Sequence, residues 1–168
     1  GLLHNLFGAW RALDHARQAR EPLSLNMKER RVVMNEDGEA IAISQRNQNE
    51  SHRLIEDFMI AANVAAADSL ISARHTCVFR VHASPDTKKT DDLFELAATV
   101  GAPFAKGQVL RPRQFNSLLA KVADTSDEVM VNEAVLRSQA KAIYSIDNIG
   151  HFGLALRNYA HFTSPIRR

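Results

Sequence analysis

Two adjacent arginines, Arg167 and Arg168, close the sequence directly after Thr163-Ser164-Pro165-Ile166. Arginine stays charged at any working pH and grips phosphate oxygens with two parallel N–H donors. Thr163 or Ser164 suits an N-cap, and Pro165 suits the first helical position, where a missing N–H costs nothing. The stretch from His161 to Arg168 therefore reads as the start of a helix, whose free N–H groups and partial positive charge favour an anion. Just upstream, Tyr144, Phe152, Tyr159 and Phe162 offer flat faces on which bases could stack, each stack being worth roughly 1–3 kcal/mol. Arg137 and Arg157 could meet phosphates, and Ser145, Asn148 and Asn158 could reach a backbone or a 2′-hydroxyl. This is equipment for single-stranded nucleic acid. The aromatics could instead be core, and for Phe152, in an apolar stretch, core is the preferred reading.

The net charge of +2 argues for no partner, but its distribution is uneven. Residues 137–168 hold five Lys and Arg against Asp147 alone, a net +4 that leaves the first 136 residues slightly acidic. A basic end that also carries His151 and His161 suits a polyanion, and equally a solvated surface with counter-charges folded over it. Other chemistries lack their residues. No glycine-rich phosphate loop, nucleophile elbow or paired Cys/His zinc pattern is present, and His151 and His161 are too far apart for a local metal site. The adjacent carboxylate pairs, Glu36-Asp37, Glu56-Asp57, Asp91-Asp92 and Asp127-Glu128, form no convincing magnesium cage. Cys77 is single, so there is no internal disulfide; its apolar neighbours Val78, Phe79 and Val81 point to a buried thiol in a reducing, cytoplasmic setting. No apolar run is long enough to span a bilayer, so no membrane partner is expected. There is no initiating Met and no secretory leader, and the chain stops as a helix begins; a fragment is expected.

The elements that must position these residues are mostly helical. Residues 2–18 read as an amphipathic helix through Leu2, Leu3, Leu6, Phe7, Trp10 and Leu13, stopped by Glu21-Pro22. Residues 32–34 and 40–43 read as two short strands joined by the turn Asn35-Glu36-Asp37-Gly38. Residues 51–72 make the strongest helix, capped by Ser51 and apolar enough to be central and buried. Its one mid-helix polar residue, Asn63, reads as a satisfied core amide, and Glu56-Asp57 as a pair favoured by the helix dipole. A strand is expected at 78–81, then helices from Ser84-Pro85-Asp86 to about Thr99, from Arg111-Pro112, and from Glu128 to Ile143. Residues 144–150 read as loop and 151–156 as a strand. The fold class expected is α+β, with several helices around a small, mainly antiparallel sheet.

The run Tyr144-Ser145-x-x-Asn148-x-Gly150-His151-Phe152-Gly153-Leu154, followed by Tyr159-Ala160-His161-Phe162-Thr163-Ser164-Pro165-Ile166-Arg167-Arg168, closely resembles the signature of the ribonuclease II and ribonuclease R family, the RNB catalytic domain. The segment His52-Arg53-Leu54-Ile55-Glu56-Asp57-Phe58-Met59-Ile60-Ala61-Ala62-Asn63-Val64 is similar to the family's central-helix motif. Arg80-Val81-His82-x-x-Pro85 and Leu136-Arg137-Ser138 match in order and spacing. The resemblance covers nearly the whole chain and is closer to the bacterial ribonuclease R branch than to ribonuclease II.

The resemblance implies part of the second half of an RNB domain, spanning residues 1–168, from a Mg²⁺-dependent, processive, hydrolytic exoribonuclease. Such an enzyme degrades RNA from single-stranded 3′ ends to nucleoside 5′-monophosphates and usually carries flanking cold-shock and S1-type RNA-binding domains. The family's metal-holding aspartates lie upstream of this segment, so no metal ligand is expected here and the chain alone should be inactive. The family's active-site arginine falls on Arg167, which would stabilise charge on the scissile phosphate. The acidic residue that helps hold the 3′-terminal nucleotide falls on Glu56 or Asp57, with Glu56 preferred. The RNA-binding set implied is Glu56, Arg137, Tyr144, Ser145, Asn148, His151, Tyr159, His161, Thr163, Ser164 and Arg168. There are departures from the family pattern. Glu21-Pro22-Leu23-Ser24-Leu25 replaces a Gly-Ala-Leu-Asp-Phe-type segment, with Leu25 where an RNA-clamping aromatic is usual. Asp57 replaces Glu, and Gln139 stands where Met is commoner. The alternative is a non-catalytic RNA-binding or assembly module that keeps the RNB scaffold.

Overall fold

The computed structural model describes residues 1–26, 30–45, 49–102 and 109–163. Helix α1 (Leu2–Arg20) is followed by the hairpin strands β1 (Arg30–Met34) and β2 (Ala40–Gln45), then by the long helix α2 (Glu50–Ser72). Strand β3 (Phe79–Val81), helices α3 (Thr87–Thr99), α4 (Pro112–Val122) and α5 (Glu128–Ser138), and strand β4 (Ile143–Ser145) complete the order. The class is α+β, and the antiparallel strands form two separate pairs, β1–β2 and β3–β4, instead of one sheet. Among the described residues, no helix is long and apolar enough to cross a membrane.

Apolar spacing builds the larger core. Leu93 and Ala97 of α3, Phe115, Leu118, Leu119 and Val122 of α4, and Val131 and Val135 of α5 bury together. Each fully buried aliphatic or aromatic side chain of this kind contributes roughly 1.5–3 kcal/mol. Pro112 starts α4, and the Asp86 side chain caps α3 by accepting from Lys88 N–H at 2.8 Å. The strip after α1 lies across this bundle, held by side-chain amides. Asn116 bonds Ser24 N–H and the Pro22 carbonyl, and Asn132 accepts from Asn26 N–H at 2.9 Å. Leu23 and Leu25 pack against the same core.

Helix α2 spans the expected stretch, with Asn49 in place of Ser51 at its start, where Asn49 N–H donates to His52 Nδ1 at 3.3 Å. Only one face is buried: Leu54, Glu56, Asp57, Ile60, Asn63 and Ala67. Two polar residues on that face do the attaching. Asp57 accepts from Trp10 Nε1–H at 3.0 Å and from Arg17 at 3.1 Å, fixing α1 to α2. The remaining apolar stripe of α1 is less used than its periodicity suggests: Trp10 is its one buried residue, and Leu2 and Leu3 are exposed. Asn63, 2% exposed, reaches the C-terminal segment. Its Oδ1 accepts from Phe162 N–H at 2.9 Å, Thr163 N–H at 2.8 Å and Thr163 Oγ1 at 3.1 Å, while its Nδ2 donates to Tyr159 Oη at 3.2 Å.

Strand β3 joins the parts. One edge pairs with β4, Phe79 opposite Ser145, Arg80 opposite Tyr144 and Val81 opposite Ile143. Along the other edge Arg80 N–H donates to the Tyr159 carbonyl at 2.8 Å, and His82 N–H to the Gly150 carbonyl at 3.0 Å. Two expected elements give way here. The helix from Glu128 stops at Ser138, five residues before the expected end at Ile143, because Ile143–Ser145 is taken by β3. Residues 151–156 do not extend as a strand. They fold back so that His151 and Leu156 exchange backbone bonds at 2.8 and 3.2 Å, with Ala155 in the left-handed region at φ 51°. The period-two alternation belongs to a tight loop.

His82 holds that loop. Its Nε2–H donates to the Ala140 carbonyl at 2.9 Å and its Nδ1 accepts from Gly153 N–H at 3.0 Å. A Cβ on Gly153 would lie 2.9 Å from His82 Nδ1, so close approach requires the glycine. His151 Nδ1 accepts from Leu154 N–H at 3.2 Å. Burial pushes the His151 imidazole down to about 4, helped by the positive fields of His82, Arg80 and His161. His82 is also lowered, first by burial, with its bond to Ala140 opposing.

Two outcomes follow. Asn63→Leu keeps the volume but orphans two backbone N–H groups and should destabilise by at least about 2 kcal/mol. Asn63→Asp keeps the acceptor and should lose less, as read by urea midpoints and amide exchange at Phe162 and Thr163. Equal losses in the two variants would remove the acceptor's role. A histidine with a lowered folded pKa stabilises fully above the unfolded value of about 6.5, and that stability drains as pH falls toward the folded value. The urea midpoint should therefore fall between pH 6.5 and about 4, and His151→Gln should flatten the slope.

Candidate nucleic-acid interface

The β3–β4 register puts Arg80 and Tyr144 directly opposite each other, hence on one face. The Arg80 guanidinium carbon sits 4.7 Å from the Tyr144 ring centre, a cation–π contact worth about 0.5–2 kcal/mol depending on exposure. Tyr144 is 56% exposed, and its hydroxyl meets His161 Nδ1 at 2.7 Å. From there a row of edge-on rings runs inward. His161 lies 5.7 Å from Tyr159, Tyr159 5.3 Å from His151, and His151 5.0 Å from His82. The row continues through Phe152 to Phe115 in the bundle core, each step 6.0 Å. Its inner end is core and its outer end, Tyr144 with His161, is half open. Phe162 beside it is 74% exposed. Burial, and then the charge of Arg80, hold the His161 imidazole below its usual range.

A second group lies where the 148–158 loop meets α2. Asn158 donates to Asp68 at 2.7 Å and accepts from Asn148 Nδ2 at 2.6 Å. Asn148 Oδ1 accepts from Gly150 N–H at 3.0 Å, and Ser145 Oγ accepts from Asp147 N–H at 2.9 Å. Asn148 and His151, with Arg111 and Arg157, line an open cleft of about 870 Å³.

The structure thus brings together Tyr144, His151, Tyr159, His161 and Thr163, with Ser145 at the end of β4 and Asn148 on the loop that follows. Tyr159 is buried at 8%, so its ring is a wall of the row and offers no open stacking face. Thr163 spends both its N–H and its hydroxyl on Asn63. Glu56 is buried on α2 beside Asp57, whose two oxygens are committed to α1. Arg137 is exposed and meets Glu133 at 3.4 Å within its own helix; among the described residues no hydrogen bond or ring contact joins it to the row. Ser164, Arg167 and Arg168, and the helix start they were assigned to, lie outside the described residues. Leu25, at the expected place of an aromatic clamp, packs on the helical bundle.

Three residues do more than the sequence reading gave them. Asn63 orients the segment that carries Tyr159, His161 and Thr163. His82 shapes the 150–156 loop. Arg80 is a cation in an otherwise apolar strand, and that break in pattern, with its place in the Arg80-Val81-His82-x-x-Pro85 motif, was its available signal. Among the described residues, no group of three His, Cys, Asp or Glu is placed to hold a metal ion. The Mg²⁺ implied by the resemblance has no fitting ligand set there.

The model of the RNB domain matches residues 2–168. Ribonuclease R of Escherichia coli strain K12 is 40% identical over 166 residues, covering 99% of this chain and 20% of that protein. The structure of Mycoplasma genitalium RNase R in complex with ribose-methylated single-stranded RNA is similar with a TM-score of 0.83, at 29% identity, over 99% of this chain and 26% of that one. Its complex with double-stranded RNA gives 0.84 at the same identity, over 99% of this chain and 30% of that one. The chain spans about a fifth of the length of its E. coli relative. Matched by one domain model from its second residue to its last, with the signature that supplies the Tyr144–His161 row inside the match, the chain belongs to the RNB domain family.

Proposed function

We propose that this chain forms one wall of the RNA channel in a processive, hydrolytic 3′-to-5′ exoribonuclease of the ribonuclease R type, working in the cytoplasm. The single observation that carries the reading is the RNB match over residues 2–168. The row from Tyr144 to Tyr159 supports it as a half-open aromatic edge beside a basic segment. In this reading Tyr144 stacks a base and His161 fixes the tyrosine's orientation through its hydroxyl. Asn63 holds the backbone of Phe162 and Thr163. Arg167 neutralises charge building on the scissile phosphate, and Glu56 helps hold the terminal nucleotide. Mg²⁺ and its aspartates come from outside these 168 residues, as do cold-shock and S1-type domains.

The test uses the full-length protein and a 3′-labelled single-stranded RNA. Release of nucleoside monophosphates should require Mg²⁺. Arg167→Ala should lower turnover by about 10²-fold or more while changing RNA affinity less than about threefold. A fall in affinity alone would make Arg167 a positioning contact. Full-length protein that binds RNA without hydrolysing it would establish the non-catalytic module instead. The 168-residue chain alone should release no nucleotide, and measurable Mg²⁺-dependent release by it would overturn the placement of the metal site.

A further inference from the structure

Arg80 holds a position that the channel reading leaves unused. It is half-buried in β3, and its guanidinium lies over Tyr144 at 4.7 Å. Among the described residues, the ion pairs are Arg17–Asp57 and Arg137–Glu133; none involves Arg80. The guanidinium also has no hydrogen-bond acceptor among them, since the bond to the Tyr159 carbonyl uses the backbone N–H. Its charge is nonetheless felt by three imidazoles, each held low in part by it: His82, His151 and His161. A half-buried cation among rings, with no counter-charge among the described residues, is well placed to be joined by an anion. The ring contact fixes where the guanidinium sits while leaving its N–H donors available, and such a fork matches phosphate oxygens.

We propose that Arg80 is a phosphate contact for single-stranded RNA, held on the face of Tyr144 so that one cross-strand pair takes a phosphate on the arginine and a base beside the tyrosine. This deepens the channel reading and rests on it. The pair sits at the outer, open end of the ring row, so it grips a nucleotide still entering the channel. Arg80 then sets affinity and register and leaves the chemical step to other groups.

The experiment measures binding of a short oligoadenylate to the full-length protein by fluorescence anisotropy in EDTA, across a salt series. One phosphate contact on a single strand contributes about 0.7 to the slope of log affinity against log salt. Arg80→Gln and Arg80→Met should each make the slope shallower by about that amount, with the loss of affinity largest at low salt. Arg80→Lys should keep the slope. Tyr144→Leu should weaken binding at every salt concentration with the slope intact. Unchanged slopes in folded Arg80→Gln or Arg80→Met would overturn the proposal. If neither neutral variant folds, the wild-type His161 imidazole decides by NMR: a phosphate beside Arg80 should raise its pKa on binding, and no movement overturns the assignment. Failure of the wild-type protein to bind the oligonucleotide at all would overturn the channel reading, and this contact with it. Wild-type binding with a normal salt slope, unchanged in the variants, would overturn the contact alone.

Discussion

One buried amide governs where the C-terminal segment runs. Asn63 sits near the middle of α2, 2% exposed, and its side-chain oxygen takes three donors from two consecutive residues. A backbone that leaves the sheet region without secondary structure must still satisfy its N–H groups. Phe162 and Thr163 do so on a side chain ninety-nine and one hundred positions away. Because Asn63 also binds Tyr159, it clamps both sides of His161. The ring row is thereby fixed to the most regular element in the molecule. Asp57, six residues earlier on the same buried face, does the equivalent work for α1. Helix α2 is less a greasy axis than a rail with polar fastenings.

Much of the helical framework was legible in the chain. Pro112, the Asp86 cap and the apolar periods of α3 and α4 are local signals, and the elements begin where those signals stand. What failed was decided at a distance. Ala140 to Ile143 has a helical composition, but His82 takes the Ala140 carbonyl and Val81 pairs with Ile143, so tertiary partners override propensity. The alternation from His151 to Leu156 satisfied the rule for a strand. A left-handed Ala155 and a glycine packed against an imidazole cannot be seen in a pattern of apolar and polar letters.

The candidate site was legible to a different degree. The family resemblance implied Tyr144, His151, Tyr159 and His161 as one group, and in the structure their rings do meet. Their exposure was not legible: Tyr159 is sealed and Tyr144 open, because one faces α2 and the other the rim of a two-stranded pair. Asn63 looked like a polar residue finding a partner in the core, which is true and understates it. The role of Arg80 was not legible, because a lone charge in a short strand is usually solvated, and here it is the ring across the strand that holds it.

The two nitrogens of His82 have a further meaning. One gives its hydrogen to a carbonyl and the other receives one from a glycine amide, so a single tautomer is written into the loop. To accept a proton, that imidazole would have to release Gly153, and with it the turn that Gly153 closes. His151, whose Nδ1 is taken by Leu154, is under the same constraint. Two imidazoles at the inner end of the ring row are therefore masonry, unable to shuttle protons without dismantling their own setting. Their protonation state, and the loop shape it fixes, therefore hold steady across the neutral range.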